Sequence, residues 1–284
     1  MVSSKTRVCG LIGGPVEHSV SPAMHNAAFN ILGLDYIYLP FRVAKEQLAK
    51  AIDGVRALNI RGLNVTIPYK VAVIPLLDEL EPLAEKIGAV NTIVNNNGIL
   101  KGFNTDAGGF LQALRKSGFE PWGRKAVVLG AGGASRAVSF ALAENGADIV
   151  ILNRQLEMDW AVGLAGNISQ FSSREVKALE LNDDNLKAVL RNADILINAT
   201  SVGMSPDTGC TPVAKKLVRP GLVVFDAVYN PIKTRLLAEA EAAGARTISG
   251  VDMLVGQGAL AFEMWTGLKP PVAEMRAAAL KALM

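Results

Sequence analysis

An uninterrupted apolar run meets a glycine-rich turn in the stretch Ala126-Val127-Val128-Leu129-Gly130-Ala131-Gly132-Gly133-Ala134-Ser135. A helix is predicted over 134–145, and a second apolar strand over 148–152. This order of strand, glycine turn, helix and strand predicts one βαβ unit that binds a dinucleotide. Gly130 allows the sharp turn, and Gly132 lets the backbone approach a pyrophosphate at the helix N-terminus. The alternative is a plain strand-to-helix turn with no ligand, and Ser135 stands where a third glycine or alanine is typical.

The end of the second strand of this unit distinguishes the two nicotinamide cofactors. It reads Asn153-Arg154, without an acidic residue at the strand tip. Sites for NAD place Asp or Glu there to bond the ribose hydroxyls, whereas the guanidinium of an arginine matches the 2′-phosphate of NADP. The sequence therefore favours NADP(H). The alternative is that Arg154 is a solvated surface side chain.

Strands alternate with helices through most of the chain, which is typical of α/β architecture with a mainly parallel sheet. The predicted strands are 8–12, 36–43, 62–67, 89–94, 99–102, 126–129, 148–152, 193–197, 222–227 and 247–248. The predicted helices are 21–32, 45–58, 107–116, 134–145, 253–266 and 272–283. We expect Ser21 to be the N-cap of the first helix, with Pro22 at the first helical position. We also expect a hairpin turn across 95–98.

Composition and charge exclude several classes of protein. Half of the 284 residues are hydrophobic, and the net charge of +3 comes from scattered basic residues, so no nucleic-acid partner is predicted. No run of about 18 uncharged apolar residues and no signal-peptide pattern is present, so we expect no membrane partner. Cys9 and Cys210 are far apart, which favours a reducing, cytoplasmic location. His18 and His25 form no ligand motif, so no metal is expected.

A second informative stretch is Asn64-Val65-Thr66-Ile67-Pro68-Tyr69-Lys70, in which Pro68 ends a predicted strand. It offers an amide, a hydroxyl and an ammonium group, which suits a small polyhydroxylated substrate. Hydride transfer between an alcohol and nicotinamide also needs a group that takes or gives the hydroxyl proton, and Lys70 with Asp106 is the best pair. Taken singly, Lys70 fits a solvated lysine and Asp106 fits a helix N-cap. Polar residues at other predicted strand ends favour the functional interpretation: Asn64, Thr66, Asn91, Thr92 and Asn104.

Ser19 and Ser21 follow the first predicted strand at the start of a helix. Their hydroxyls and the nearby backbone N–H groups can bind a carboxylate. The alternative for Ser21 is that it only caps the helix. His18 lies in the same loop, but we rank it below Lys70 as a catalytic base.

Taken together, these segments resemble the shikimate dehydrogenase family over nearly the whole chain. The segments that carry the resemblance are 13–22 (GGPVEHSVSP), 64–70 (NVTIPYK), 88–92 (GAVNT), 102–106 (GFNTD), 130–137 (GAGGASRA), 198–204 (NATSVGM), 226–231 (DAVYNP) and 250–259 (GVDMLVGQGA). Eight segments in the right order make chance resemblance very improbable.

The resemblance implies reversible reduction of 3-dehydroshikimate to shikimate with NADPH, on the route to chorismate and the aromatic amino acids. It implies a substrate-binding domain over 1–106, completed by helices over 252–284, and a Rossmann-type NADP-binding domain over 107–251. Lys70 is then the proton donor or acceptor, and Asp106 its partner at the substrate hydroxyls. The residues implied to bind substrate are Ser19, Ser21, Asn64, Thr66, Asn91, Asp106, Tyr229 and Gln257. Those implied to bind the cofactor are Gly130, Ala131, Gly132, Gly133, Ala134, Asn153, Arg154, Thr200, Val228 and Gly250.

One segment departs from the family pattern. After Asn153-Arg154 the family usually continues with a threonine and, a few residues on, a lysine, whereas this chain has Gln155-Leu156-Glu157-Met158-Asp159. This leaves open a quinate/shikimate dehydrogenase that uses both NAD and NADP. A catalytically idle NADP-binding regulator and a folate-type or amino-acid-type dehydrogenase are further alternatives. The chain is expected to be a monomer or a homodimer.

Overall fold

The structure is a computed structural model, and it describes residues 2–172 and 174–284. Contacts divide the chain into two compact units. The first unit contains residues 1–109 and 255–284, and the second contains residues 110–254.

The strands and helices alternate along the described chain as the sequence predicts. The strands are β1 (Arg7–Gly13), β2 (Tyr36–Arg42), β3 (Gly62–Val65), β4 (Glu79–Leu80), β5 (Thr92–Asn96), β6 (Ile99–Phe103), β7 (Lys125–Leu129), β8 (Asp148–Asn153), β9 (Lys177–Glu180), β10 (Ile195–Asn198), β11 (Val223–Asp226) and β12 (Arg246–Ser249). The helices are α1 (Ser21–Ile31), α2 (Leu48–Ala57), α3 (Pro82–Ile87), α4 (Asp106–Lys116), α5 (Gly133–Glu144), α6 (Met158–Ser172), α7 (Asp183–Leu190), α8 (Arg235–Ala242), α9 (Gly250–Thr266) and α10 (Val272–Ala282).

The first unit is built on a mixed sheet with the strand order β2-β1-β3-β5-β6-β4. The pairs of β1 with β2 and with β3 are parallel, and so is the pair of β4 with β6. β5 is antiparallel to both β3 and β6. The turn between β5 and β6 places Asn97 and Gly98 at φ angles of 53° and 93°, which is the geometry of the predicted two-residue hairpin turn.

The C-terminal helices complete the core of the first unit. Trp265 near the end of α9 is 1% exposed, and its indole Nε1 donates to the Ile93 carbonyl at 3.0 Å. A Cβ atom on Gly62 would lie 2.2 Å from that nitrogen, so only glycine at this point of β3 leaves room for the indole. α10 packs against α1. The last 30 residues therefore belong to the same core as the first hundred.

The second unit has the strand order β12-β11-β10-β7-β8-β9, and every pair in it is parallel. The chain goes from β7 to β8 on one side and later returns to pair β10 with the other side of β7. The strand order thus reverses at β7, and ligands of open α/β sheets bind at such a point, beyond the carboxyl ends of the strands. The predicted α/β fold with a Rossmann-type half is confirmed.

The start of α1 differs from the prediction. Val20, and not Ser21, is the N-cap, because the Met24 N–H donates to the Val20 carbonyl in the first bond of the helix. No side-chain capping bond is made at this end within the described chain. The Ser21 hydroxyl is therefore not used as a cap.

Other boundaries shift by a few residues. The predicted helix over 45–58 is a 3-10 turn at Lys45–Gln47 followed by α2. The strand predicted over 62–67 ends at Val65, since the Tyr69 N–H donates to Thr66 in a turn beyond it. The sequence prediction missed β4, β9, α3, α6, α7 and α8. No helix in the described part of the chain is long and apolar enough to cross a membrane.

Candidate active site

Lys70 and Asp106 form a direct ion pair in the first unit. The Lys70 Nζ atom donates to Asp106 Oδ2 at 2.5 Å. The lysine side chain is 15% exposed and the aspartate side chain 6%. An ammonium group held at a partly buried carboxylate is suited to exchange a proton with a bound hydroxyl.

Asn104, and not Asp106, accepts the hydrogen bond from a backbone N–H at the start of α4. The Ala107 N–H in the first turn of α4 donates to Asn104 Oδ1 at 3.3 Å, and Asn104 Nδ2 donates to the Ala89 carbonyl at 2.8 Å. The alternative that Asp106 is a simple N-cap therefore does not describe the contacts, because its oxygens face Lys70 and Asn91 instead.

Asn91 links the ion pair to α9. Its Nδ2 donates to Asp106 Oδ1 at 2.9 Å and to Gln257 Oε1 at 3.2 Å. Its Oδ1 accepts from the Thr105 N–H at 2.7 Å. These bonds place four of the predicted side chains, Lys70, Asp106, Asn91 and Gln257, in one hydrogen-bonded group.

Asn64 lies behind this group, with its amide bonded to protein atoms. Its Oδ1 accepts from the Tyr38 hydroxyl at 2.8 Å. Its Nδ2 donates to Thr92 Oγ1 at 3.1 Å and to the Asn91 carbonyl at 3.2 Å. The side chain is buried, and both amide hydrogens have acceptors. Asn64 thereby holds the backbone of Asn91.

The loop after β1 lies against the loop after β3. The Gly14 N–H donates to the Ile67 carbonyl at 3.0 Å, and a Cβ on Gly13 would lie 2.4 Å from Thr66 Cγ2. Ser19 Oγ accepts from the Ser21 N–H at 3.3 Å. Adjacent strand ends therefore bring the predicted hydroxyl groups of 19, 21 and 66 to one edge of the sheet, while His18 is exposed.

The backbone of the glycine turn in the second unit leaves space for an anion to approach it. Gly130 has a φ angle of +100°, and a Cβ there would lie 3.0 Å from Thr200 Cγ2. A Cβ on Gly132 would meet no described atom within 4 Å, so this side of the turn is open. α5 begins at Gly133, one residue earlier than predicted, with no side-chain cap among the described residues. Its first N–H groups are thus free for a phosphate.

Ser135, which stands where a glycine or alanine is typical, has a structural role in the turn. Its side chain is fully buried, and its hydroxyl donates to the Gly130 carbonyl at 2.6 Å. This bond closes the turn between β7 and α5. The departure at the third fingerprint position therefore leaves the turn intact.

Arg154 follows β8 and carries an acidic partner. Its guanidinium Nη2 donates to Glu157 Oε1. This bond lowers the pKa of Glu157 and raises the pKa of Arg154. Asn153 Nδ2 donates to the Glu157 carbonyl at 2.7 Å, which fixes the intervening turn.

Asp226 at the end of β11 organises two loops near the glycine turn, a role that sequence reasoning missed. It accepts from Asn198 Nδ2 at 2.9 Å, from the Val228 N–H at 3.0 Å and from Thr234 Oγ1 at 2.6 Å. Burial raises the pKa of this carboxyl to about 6. The sequence feature that could have identified this role is the acidic residue, Asp226, that directly ends the apolar strand β11.

Further predicted residues lie in the same unit. Thr200 donates from its hydroxyl to Asn198 Oδ1 at 2.7 Å. A Cβ on Gly250 would lie 2.6 Å from the Ala227 carbonyl, so the start of α9 contacts the backbone after β11 directly. Tyr229 lies in the loop after β11. Within the described residues no group of three or more His, Cys, Asp or Glu side chains is arranged to hold a metal ion.

Three family models match the chain. Residues 11–93 match the shikimate dehydrogenase substrate binding domain, residues 113–205 match shikimate / quinate 5-dehydrogenase, and residues 250–280 match the shikimate 5′-dehydrogenase C-terminal domain.

Relatives resemble the chain along almost its whole length. A shikimate dehydrogenase (NADP(+)) of Methanopyrus kandleri is 54% identical, with 99% of this chain and 98% of the relative covered. A shikimate dehydrogenase crystallised in complex with NADP+ superposes with a TM-score of 0.94 at 44% identity, covering 100% of this chain and 98% of that one. The shikimate 5-dehydrogenase of Thermus thermophilus in complex with NADP(H) and shikimate gives a TM-score of 0.87 at 42% identity, with coverage of 98% and 100%.

Proposed function

The chain belongs to the shikimate dehydrogenase family, and we propose that it catalyses the reversible NADPH-dependent reduction of 3-dehydroshikimate to shikimate. The observation that carries the proposal is the Lys70–Asp106 pair, bonded through Asn91 to Gln257. A merely structural NADP-binding protein has no need of this partly buried ammonium group.

Lys70 is the residue that moves the proton. As the ring carbonyl is reduced, its oxygen gains negative charge, and the Lys70 ammonium donates a proton to it; in the oxidation of shikimate the same amine accepts the hydroxyl proton. Asp106 keeps the ammonium in position, because its Oδ2 accepts from Nζ while Asn91 holds its other oxygen. Asp106 also accepts from a substrate hydroxyl.

The remaining polar groups orient the substrate ring. Ser19 and Ser21 donate to its carboxylate at the edge of the sheet. Thr66, Asn91 and Gln257 line the rest of the substrate site within the first unit, and Asn64 supports it through the Asn91 carbonyl. Tyr229 is assigned to the substrate by the family resemblance. Several directional bonds to one small ring fix which face is presented for reduction.

The second unit holds the cofactor. When bound, NADPH supplies the hydride. The open backbone of Gly130–Ala134 and the uncapped N-terminus of α5 suit its pyrophosphate. Asn153 and Arg154 lie where the adenine ribose and its 2′-phosphate are expected, and Thr200, Val228 and Gly250 complete the site at the ends of β10 and β11.

The organisation of the protein follows from this assignment. We assign residues 1–106 with 252–284 to substrate binding and residues 107–251 to NADP binding. The ligands are small molecules, and the two free cysteines, Cys9 and Cys210, fit a reducing, cytoplasmic location. We propose a monomer or a homodimer.

Initial rates test the function directly. Shikimate and quinate are each offered with NADP+ and with NAD+, and the reduced nicotinamide is followed by its absorbance. A rate mainly with shikimate and NADP+ supports the proposal. Comparable rates with quinate would place the protein in the dual-specificity branch, and no rate with any pair would favour the idle regulator.

A further inference from the structure

Arg154, which we propose to bind the 2′-phosphate, already forms an ion pair with a carboxylate of the same chain. Arg154 donates to Glu157 three residues later. The arginine side chain is 69% exposed and the glutamate side chain 25%. The guanidinium is therefore open to a ligand while one of its faces meets a negative charge.

The backbone around the pair holds Glu157 close to Arg154. Residues 155–157 form a 3-10 turn for which Arg154 is the N-cap, and the Glu157 N–H donates to the Arg154 carbonyl at 3.0 Å. Asn153 Nδ2 bonds the Glu157 carbonyl at 2.7 Å. Glu157 is thus fixed beside the strand tip, so a ligand on Arg154 also meets this carboxylate.

The two forms of the adenine ribose interact with this pair differently. A 2′-phosphate carries close to two negative charges, so it competes with Glu157 for the guanidinium and is repelled by the carboxylate. A 2′-hydroxyl is a donor, which a carboxylate at the strand tip accepts. From these contacts we infer that Glu157 is a specificity-determining residue that weakens the preference of this enzyme for NADP over NAD.

This inference rests on the proposed function, since it concerns the cofactor of the same reaction. It goes further by assigning a role to a residue outside the glycine turn and the strand tip.

Cofactor binding without turnover tests the inference. Isothermal titration calorimetry of the intact protein and of Glu157→Gln would use NADP+, NAD+ and 2′-AMP, with no substrate present. We expect the Kd of the variant for NADP+ and for 2′-AMP to fall about 3- to 10-fold, since an exposed charge interaction changes affinity by a modest factor. We expect its Kd for NAD+ to rise about twofold or more.

Two further variants make the result specific. In the Arg154→Ala background, Glu157→Gln should tighten NADP+ by a smaller factor than in the unaltered protein, because the competition for the guanidinium is gone and only the direct repulsion of the phosphate remains. Glu241→Gln makes the same chemical change in another ion pair of the same unit, with Lys233, and should leave the ratio of the two Kd values unchanged. Thermal melting checks that each variant folds.

Defined outcomes overturn the inference. An unchanged ratio in Glu157→Gln, or an equal loss of affinity for both cofactors, would show that the pair only braces the turn. If the unaltered protein binds NADP+ and oxidises shikimate while Glu157→Gln is neutral, the inference fails and the proposed function stands. If the unaltered protein binds neither cofactor, both fail.

Discussion

The roles of single residues depend on which atoms are already bonded. Both oxygens of the Asp106 carboxylate have partners, Lys70 on one side and Asn91 on the other, so its orientation is fixed. An ammonium group has three donors, and the bond to Asp106 uses one of them. Lys70 can therefore serve a substrate oxygen while it stays paired.

Replacing Lys70 tests this role. We expect Lys70→Ala to lower kcat by about 10²- to 10⁴-fold with little change in shikimate affinity, because a general acid is lost while the orienting groups remain. Steady-state rates and calorimetric titration with shikimate measure the two effects. Lys101→Ala is the matched control, since Lys101 pairs with Glu79 in the same unit; it should keep full activity. Unchanged turnover in Lys70→Ala would remove Lys70 from the mechanism.

His25 is an unusual residue in the core of the first unit. It is fully buried, its ring stacks on Tyr38 at 4.5 Å, and among the described residues neither ring nitrogen has a hydrogen-bond partner. A buried polar group without a partner costs about 1–3 kcal/mol. Burial accordingly lowers the pKa of His25 to about 3.

Replacing His25 with Phe should stabilise this unit, most of all in acid. The unfolded chain binds a proton at His25 below about pH 6.5, whereas the folded chain does so only near pH 3, so His25 makes stability fall as the pH falls between these values. Phe does not titrate. We expect His25→Phe to raise the free energy of unfolding by about 1 kcal/mol at pH 8 and by more at pH 5, measured by urea unfolding. A variant as acid-sensitive as the parent would contradict this explanation.

At the scale of elements, the parallel strands of the second unit place the residues that we propose to bind the cofactor at one edge of the sheet. β7 ends at the glycine turn, β8 at Asn153, β10 at Asn198 and β11 at Asp226. The bond from Asn198 Nδ2 to Asp226 joins the last two strand ends, and the bond from the Val228 N–H extends the link to the next loop. The loops that we propose to bind the cofactor are therefore held by a buried polar network rather than by apolar packing alone.

Asp226 makes the stability of the second unit depend on pH. Because the folded pKa is about 6 and the ordinary value is 3.8, the folded state binds more protons than the unfolded state between these values. The contribution of Asp226 to stability therefore falls as the pH rises from about 4 to 6. Asp226→Asn does not titrate, so its free energy of unfolding relative to the parent should rise across this window, by at most about 3 kcal/mol, and then level off.

Urea unfolding of both proteins from pH 4 to 8 measures this difference. Because other groups titrate equally in the two proteins, only the difference between them reports on Asp226. A difference that stays flat across the window would show that Asp226 is not the titrating group.

At the scale of the whole molecule, the chain starts and finishes in the same unit. α9 supplies both Gln257, which bonds Asn91, and Trp265, which bonds the Ile93 carbonyl. Arg61 binds the carbonyl of Trp265 through Nε at 2.9 Å. The C-terminal helices thus complete both the core and the polar group around Lys70.

Removing Trp265 should destabilise one unit selectively. We expect Trp265→Ala to lower the free energy of unfolding of the first unit by about 3–5 kcal/mol, since a fully buried large ring is lost. Hydrogen exchange should rise in the first unit, while the second unit keeps its protection and its NADP+ affinity. Trp122→Ala is the control, because Trp122 is 76% exposed, and it should change stability by about 0.5 kcal/mol or less. Equal loss in both units would mean that they do not unfold separately.

Local signals explain the parts of the fold that could be predicted. Short-range features of the sequence predict three kinds of element. Glycine or asparagine at a positive φ angle marks the turn after β7 and the Asn97–Gly98 hairpin. Continuous apolar runs mark the buried strands. α7 and α8 were missed because each has only 8 residues and buries few apolar side chains, among them Leu186 and Leu237. The prediction of Ser21 as the N-cap was wrong because the N-cap lies one residue earlier than predicted, at Val20, whose side chain cannot cap the helix, and the cap preference of serine is only a local tendency.

The amino-acid sequence by itself determined the fold class, the order of the two halves, the family and the set of polar residues that we propose to serve the reaction, because each follows from short motifs and their order. Only the tertiary structure decided which of those residues bond to one another. Asn64 turns its amide to Tyr38 and Thr92, Asp106 is released from capping by Asn104, and Glu157 binds Arg154. The physical reason is that hydrogen bonds are directional and short, so a partner is chosen by the placement of strand ends and turns, which no local pattern specifies.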